Sequence, residues 1–88
     1  MTLKNVTLKQ LRALQAVVRT GTVSAAAASL NVTPPAVTTQ VRLLEEAVRM
    51  PLLQRIGDRF LPTEAGSIVL EAAARMEAAI DGCIDELE

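Results

Sequence analysis

The chain has 88 residues, half of them apolar, with one aromatic residue, one cysteine, no histidine and a formal net charge of −1. This fits one small domain with an aliphatic, alanine-rich core. It excludes an intrachain disulfide framework and a cysteine-based zinc site, and it leaves no apolar run near the roughly 18 residues of a membrane span. The charge is divided: residues 1–63 carry eight Lys and Arg against three Asp and Glu, and residues 64–88 carry one Arg against seven acids, so the N-terminal part is what a polyanion would meet.

Thr7 and Gln10 have capping-box spacing, which predicts a first helix starting at Thr7. Leu8, Leu11, Leu14 and Val18 give it an apolar face, with Ala13 and Val17 beside it, and Gly21 ends it. A short second helix is predicted over 23–30, capped by Thr22 and dominated by Ala25 to Ala28. Alanine favours helix, and its small side chain lets another helix come close. Ala26 and Ala27 are therefore the expected contact to the third helix. Asn31 suits a left-handed turn residue, and Val32 is expected to point back into the core.

The third helix opens with Thr33 as N-cap and Pro34 at the first helical position, where a missing N–H costs nothing. Val37, Val41, Leu44 and Val48 recur as one apolar stripe. Pro35, Thr38, Thr39 and Arg42 form a second row that is small, polar or basic, with no carboxylate until Glu45 and Glu46. An apolar back and an acid-free front suit a helix that enters a DNA major groove, although an ordinary amphipathic surface helix has the same pattern. Helix, brief turn and groove-compatible helix together make the helix-turn-helix pattern.

Pro51 closes the helical region. Residues 52–56 and 59–61 are strand candidates around a Gly57-Asp58 turn. Thr63 restarts helix as an N-cap, followed by Glu64 at the positive end. From there to Glu88, Val69, Ala73, Met76, Ile80, Cys83 and Leu87 keep a strict heptad, which implies a partner helix.

The run GTVSAAAASLNVTPPAVTTQVRLLEEAV, with the downstream PLLQR and LPTEAG, resembles the N-terminal domain of LysR-type transcriptional regulators over about Leu8 to Glu88. More loosely, TPPAVTTQVRLLEEAV is similar to the subgroup that regulates carbon-fixation operons. The resemblance implies a mainly α fold: a winged helix-turn-helix of three helices plus a short β-hairpin wing, followed by a long linker helix. The DNA-binding domain would span 1–63, with the helix-turn-helix at about 23–42 and the wing at about 52–62, and 64–88 would be the dimerisation helix. DNA contacts would come from Thr33, Pro34, Pro35, Ala36, Thr38, Thr39, Gln40 and Arg42 on the third helix, and from Arg55 and Arg59 on the wing. The dimer interface would be Val69, Ala73, Met76, Ile80, Cys83 and Leu87, with the two linker helices antiparallel. The implied partners are double-stranded DNA carrying an interrupted inverted repeat and a second copy of the chain, or a tetramer in the complete protein. An effector metabolite would act only through a larger domain absent here, so the chain reads as a fragment.

Three positions depart from the family pattern. Pro34 and Thr39 stand where many members carry a glutamine and an arginine, so strong hydrogen-bonding groups are missing there. Arg49 stands where glycine usually follows the helix; in a left-handed conformation it would be strained by roughly 1 kcal/mol. A winged-helix protein-interaction module without specific DNA readout is the alternative function. With no histidine and with Cys83 on a packing seam, no nucleophile–base pair is visible, which argues against an enzyme. MTLKNVTLKQ lacks a signal-peptide apolar region, so a cytoplasmic protein without metal, cofactor or membrane attachment is expected.

Overall fold

The computed structural model describes residues 5–88. It contains helices α1 (Leu8–Thr20), α2 (Val23–Leu30) and α3 (Pro34–Val48), strands β1 (Leu53–Ile56) and β2 (Arg59–Pro62), and helix α4 (Glu64–Leu87). These are the six elements that the capping and periodicity predict.

Local chemistry sets most of the boundaries. The Thr7 hydroxyl accepts from the Gln10 N–H at 3.2 Å, and the Gln10 side chain accepts from the Thr7 N–H at 3.1 Å. Each satisfies a donor that the first turn cannot. Thr22, Thr33 and Thr63 cap α2, α3 and α4 in the same way, accepting from Ala25, Ala36 and Gly66. The C-terminal ends turn on left-handed residues: Gly21 at φ 89°, Asn31 at φ 56° and Arg49 at φ 59°. Arg49 therefore does adopt the conformation that disfavours a side chain with a Cβ. Its N–H bonds the Glu45 carbonyl, so a helix-end hydrogen bond offsets part of that strain.

The three short helices pack through their small residues. Ala13, Ala16 and Val17 of α1 meet Ala26 and Ala27 of α2 and Val37 and Val41 of α3 in one buried cluster. Leu11 and Leu14, from the other side of α1, join Leu44, Leu52 and Ala73 in a second. α1 is thus the element common to both. Leu8 does not share this burial and is exposed. Val32 is corrected as well: it is 41% exposed rather than in the core, because the Asn31 turn directs it outward while its N–H bonds the Ala27 carbonyl.

β1 and β2 pair antiparallel, with Arg55 opposite Phe60 and Ile56 opposite Arg59, around the Gly57-Asp58 turn. Phe60 and Leu53 lean on the first cluster. The Phe60 N–H bonds the Gly21 carbonyl at 2.8 Å, which ties β2 to the α1–α2 turn. Thr63 holds the base of the hairpin, its hydroxyl donating to Pro51 and its N–H to Leu52. A Cβ at Gly66 would collide with the Leu52 carbonyl. Glycine at that position is what lets the first turn of α4 lie against the hairpin base.

The predicted heptad divides along α4. Ala73 is buried and Val69 half-buried within the chain's own second cluster, so they are already covered. Met76, Ile80 and Leu87 are 50%, 61% and 81% exposed, and Cys83 is exposed too. The part of the heptad left for the expected partner helix is therefore the stretch beyond Ala73.

Candidate nucleic-acid interface

α3 buries Val37, Val41 and Leu44 and turns its other side outward. Thr33, Pro34, Pro35, Thr38, Thr39 and Arg42 are exposed together on it, while Ala36 and Gln40 are half-buried. The N-terminal tip has an unusual donor inventory. Pro34 and Pro35 occupy its first two positions and have no N–H. The Ala36 N–H is taken by the Thr33 hydroxyl and carbonyl, and the Val37 N–H bonds the Thr33 carbonyl. The first helical turn, 34–37, therefore offers two proline rings and a methyl group but no free backbone donor. Hydrogen bonding from this face must come from the side chains of Thr33, Thr38, Thr39, Gln40 and Arg42.

Arg42 is not free in this state. Its Nη1 donates to the Glu46 carboxylate at 2.7 Å, one turn further on. Glu45 has a different partner, accepting from the Leu52 N–H at 2.8 Å. That bond joins the end of α3 to the start of the hairpin and satisfies a backbone donor just past Pro51. Glu45 is a structural residue that the sequence reading missed. Its only local sign was an acid in a last helical turn, where the helix dipole disfavours it.

The wing arginines are placed differently from each other. Arg55 sits with its guanidinium carbon 5.4 Å from the Phe60 ring centroid, within cation–π range. Arg59 lies across Gly21, where a Cβ would meet its Nη2 at 2.6 Å. The register puts Arg55 and Arg59 on opposite faces of the hairpin. Both are exposed, and neither has a carboxylate partner among the described residues. With no residue of α3 or the wing in its lining, a shallow groove is formed by Leu8 and Arg12 of α1 with Met76, Glu77, Ile80 and Asp81 of α4. The interface candidates thus form two separate surfaces, one around α3 and the wing and one along distal α4. No helix among the described residues is long and apolar enough to cross a membrane.

A helix-turn-helix with a paired hairpin after its second helix defines a winged helix-turn-helix domain, here followed by a long helix. The family model for bacterial regulatory helix-turn-helix proteins of the lysR family matches residues 8–67. The HTH-type transcriptional regulator CbbR of Cereibacter sphaeroides is 49% identical over 80 residues, covering 89% of this chain and 26% of that protein. A RuBisCO operon transcriptional regulator of Acidithiobacillus ferrooxidans is 42% identical over 72 residues, covering 82% of this chain and 23% of that protein. Among solved structures, the CbnR DNA-binding domain in complex with DNA superposes with a TM-score of 0.79 at 31% identity, covering 98% of this chain and 93% of that one. The chain belongs to the LysR family of transcriptional regulators and corresponds to its DNA-binding domain. It spans about a quarter of the length of the curated relatives it matches.

Proposed function

We propose that this domain binds double-stranded DNA sequence-specifically, with α3 in the major groove and the wing on the backbone or minor groove. The observation that carries the reading is the exposed, carboxylate-free row Pro35, Thr38, Thr39 and Arg42 on a helix whose opposite side is buried. Pro34, Pro35 and Ala36 would contact thymine methyls, while Thr33, Thr38, Thr39 and Gln40 would supply hydrogen bonds to bases or backbone. Arg42, Arg55 and Arg59 would supply phosphate or narrow-groove contacts, which set affinity more than sequence.

The domain would act as a homodimer through α4, so that residues 1–63 read DNA and 64–88 assemble the pair. The exposed Met76, Ile80, Cys83 and Leu87 support this, since fully burying a side chain such as Ile80 stabilises by roughly 1.5–3 kcal/mol. A dimer presents two recognition helices to an interrupted inverted repeat. The carbon-fixation relatives suggest an operon of that type as the target, with any effector acting through a domain beyond this chain. The protein would work in the cytoplasm and would catalyse no reaction.

Selection of sites from random duplexes by the purified domain tests the proposal. The expected result is an inverted repeat with a fixed spacing. Recovery of no enriched sequence at any salt concentration would overturn it.

A further inference from the structure

We propose that Glu46 is an affinity-setting latch, a carboxylate that occupies Arg42 in the free domain and must release it before Arg42 can reach a phosphate. The inference rests on the DNA-binding reading above and deepens it.

Three observations carry it. The pair is short, at 2.7 Å, yet both side chains are more than half exposed, at 57% and 60%. It can therefore open into solvent without leaving a buried charge. Among the described residues Glu46 also joins no other element of the fold. It lies in the last turn of α3, which has no basic residue, and a carboxylate there opposes the helix dipole. Its neighbour Glu45 has a compensating backbone partner in Leu52, but among the described residues Glu46 has Arg42 alone. Finally, the order is arginine first and acid four residues later, the weaker orientation for such a pair. The contact is thus close enough to compete for Arg42 and weak enough to yield. Arg42 stands at the end of the outward row that begins at Pro35, where a phosphate beside the groove would meet it.

Removing the carboxylate should strengthen binding to any duplex, because Arg42 no longer has to exchange partners. An exposed pair of this kind corresponds to a gain of about two- to fivefold at low salt, shrinking as salt screens it. Sequence preference should stay the same, since a phosphate contact carries no base information.

The test is a double-mutant cycle on duplex binding, using Glu46→Gln, Arg42→Ala and both together, with the selected duplex and a scrambled one. Glu46→Gln alone should bind both duplexes about two- to fivefold more tightly, and in the Arg42→Ala background it should change nothing. An equal gain in both backgrounds would mean that Glu46 repels the duplex directly, and no gain in either would mean that the pair does not compete; both results overturn the latch. Failure of the parent domain to bind any duplex would instead remove the DNA-binding reading and the latch with it. Circular dichroism of each variant should match the parent, because both side chains are exposed.

Discussion

The two halves of α4 carry one heptad and have different surroundings. Near the wing, Val69 and Ala73 are covered by α1, α3 and the hairpin base, and Gly66 sits so close to Leu52 that no side chain fits. Beyond Ala73, Met76, Ile80, Cys83 and Leu87 continue the same spacing but stay exposed, with only Leu8 and Arg12 of α1 beside Met76 and Ile80 among the described residues. Periodicity reports which side of a helix is apolar; it does not say whether that side meets its own chain or another. Fold stability rests on the proximal half and the proposed assembly on the distal half, and each can be broken separately.

The largest effect is expected from Ile80→Asp. It places a carboxylate on the exposed seam and should give a monomer by equilibrium sedimentation, with the helical signal intact. Loss of the linked second half-site should weaken binding to the full repeat by about a hundredfold or more, with little change on a single half-site. A parent domain that is monomeric at micromolar concentration, both free and on the full site, would remove the distal half from the assembly role.

Gly66→Ala sharpens the other side of the comparison. The added methyl must displace the Leu52 carbonyl or the start of α4, an overpacking cost of about 1–3 kcal/mol. Thermal unfolding of the monomeric Ile80→Asp background should then shift down by about 10 °C. An unchanged transition would show that the proximal contact is not tight. The pairing should also make Ile80→Asp nearly silent in monomer stability, as expected for a residue 61% exposed.

Smaller effects separate the three arginines on the reading side. Arg55→Ala, Arg59→Ala and Arg42→Ala should each weaken all duplexes similarly and make the salt slope shallower by about one unit. Because Arg55 and Arg59 lie on opposite faces of the hairpin, losses at both require the wing to dock edge-on, with each face toward a phosphate row. Three variants that bind like the parent at every salt concentration would rule out this docked orientation.

What was legible in the sequence follows the range of the forces involved. Thr7, Thr22, Thr33 and Thr63 announced helix starts because an N-cap bonds a group only two or three residues away. Gly21 and Asn31 announced helix ends for a similarly local reason. The outward row of α3 was legible because a helix fixes which residues share a face. The joints were not. Glu45 on the Leu52 N–H, Arg59 across Gly21 and Gly66 against Leu52 depend on where separate elements come to rest. Val32 failed for the same reason, since a left-handed residue before it leaves two directions open and only packing decides between them. The Arg42–Glu46 pair is at helical spacing and so legible in principle, but spacing alone does not show which partner Arg42 takes.

The smallest of these effects bears most directly on the placement of α3. Thymine's 5-methyl group lies only in the major groove, and a helix tip with no free N–H can touch it only by apolar contact. Replacing single thymines of the selected site by deoxyuridine, one position at a time, removes that methyl and little else. The account predicts a loss of about fourfold at the thymines under the tip, the factor that burial of one methyl gives. It also predicts that a Pro35→Ser variant no longer distinguishes the two bases there. A site in which no thymine can be told from deoxyuridine would contradict a major-groove position for Pro34, Pro35 and Ala36.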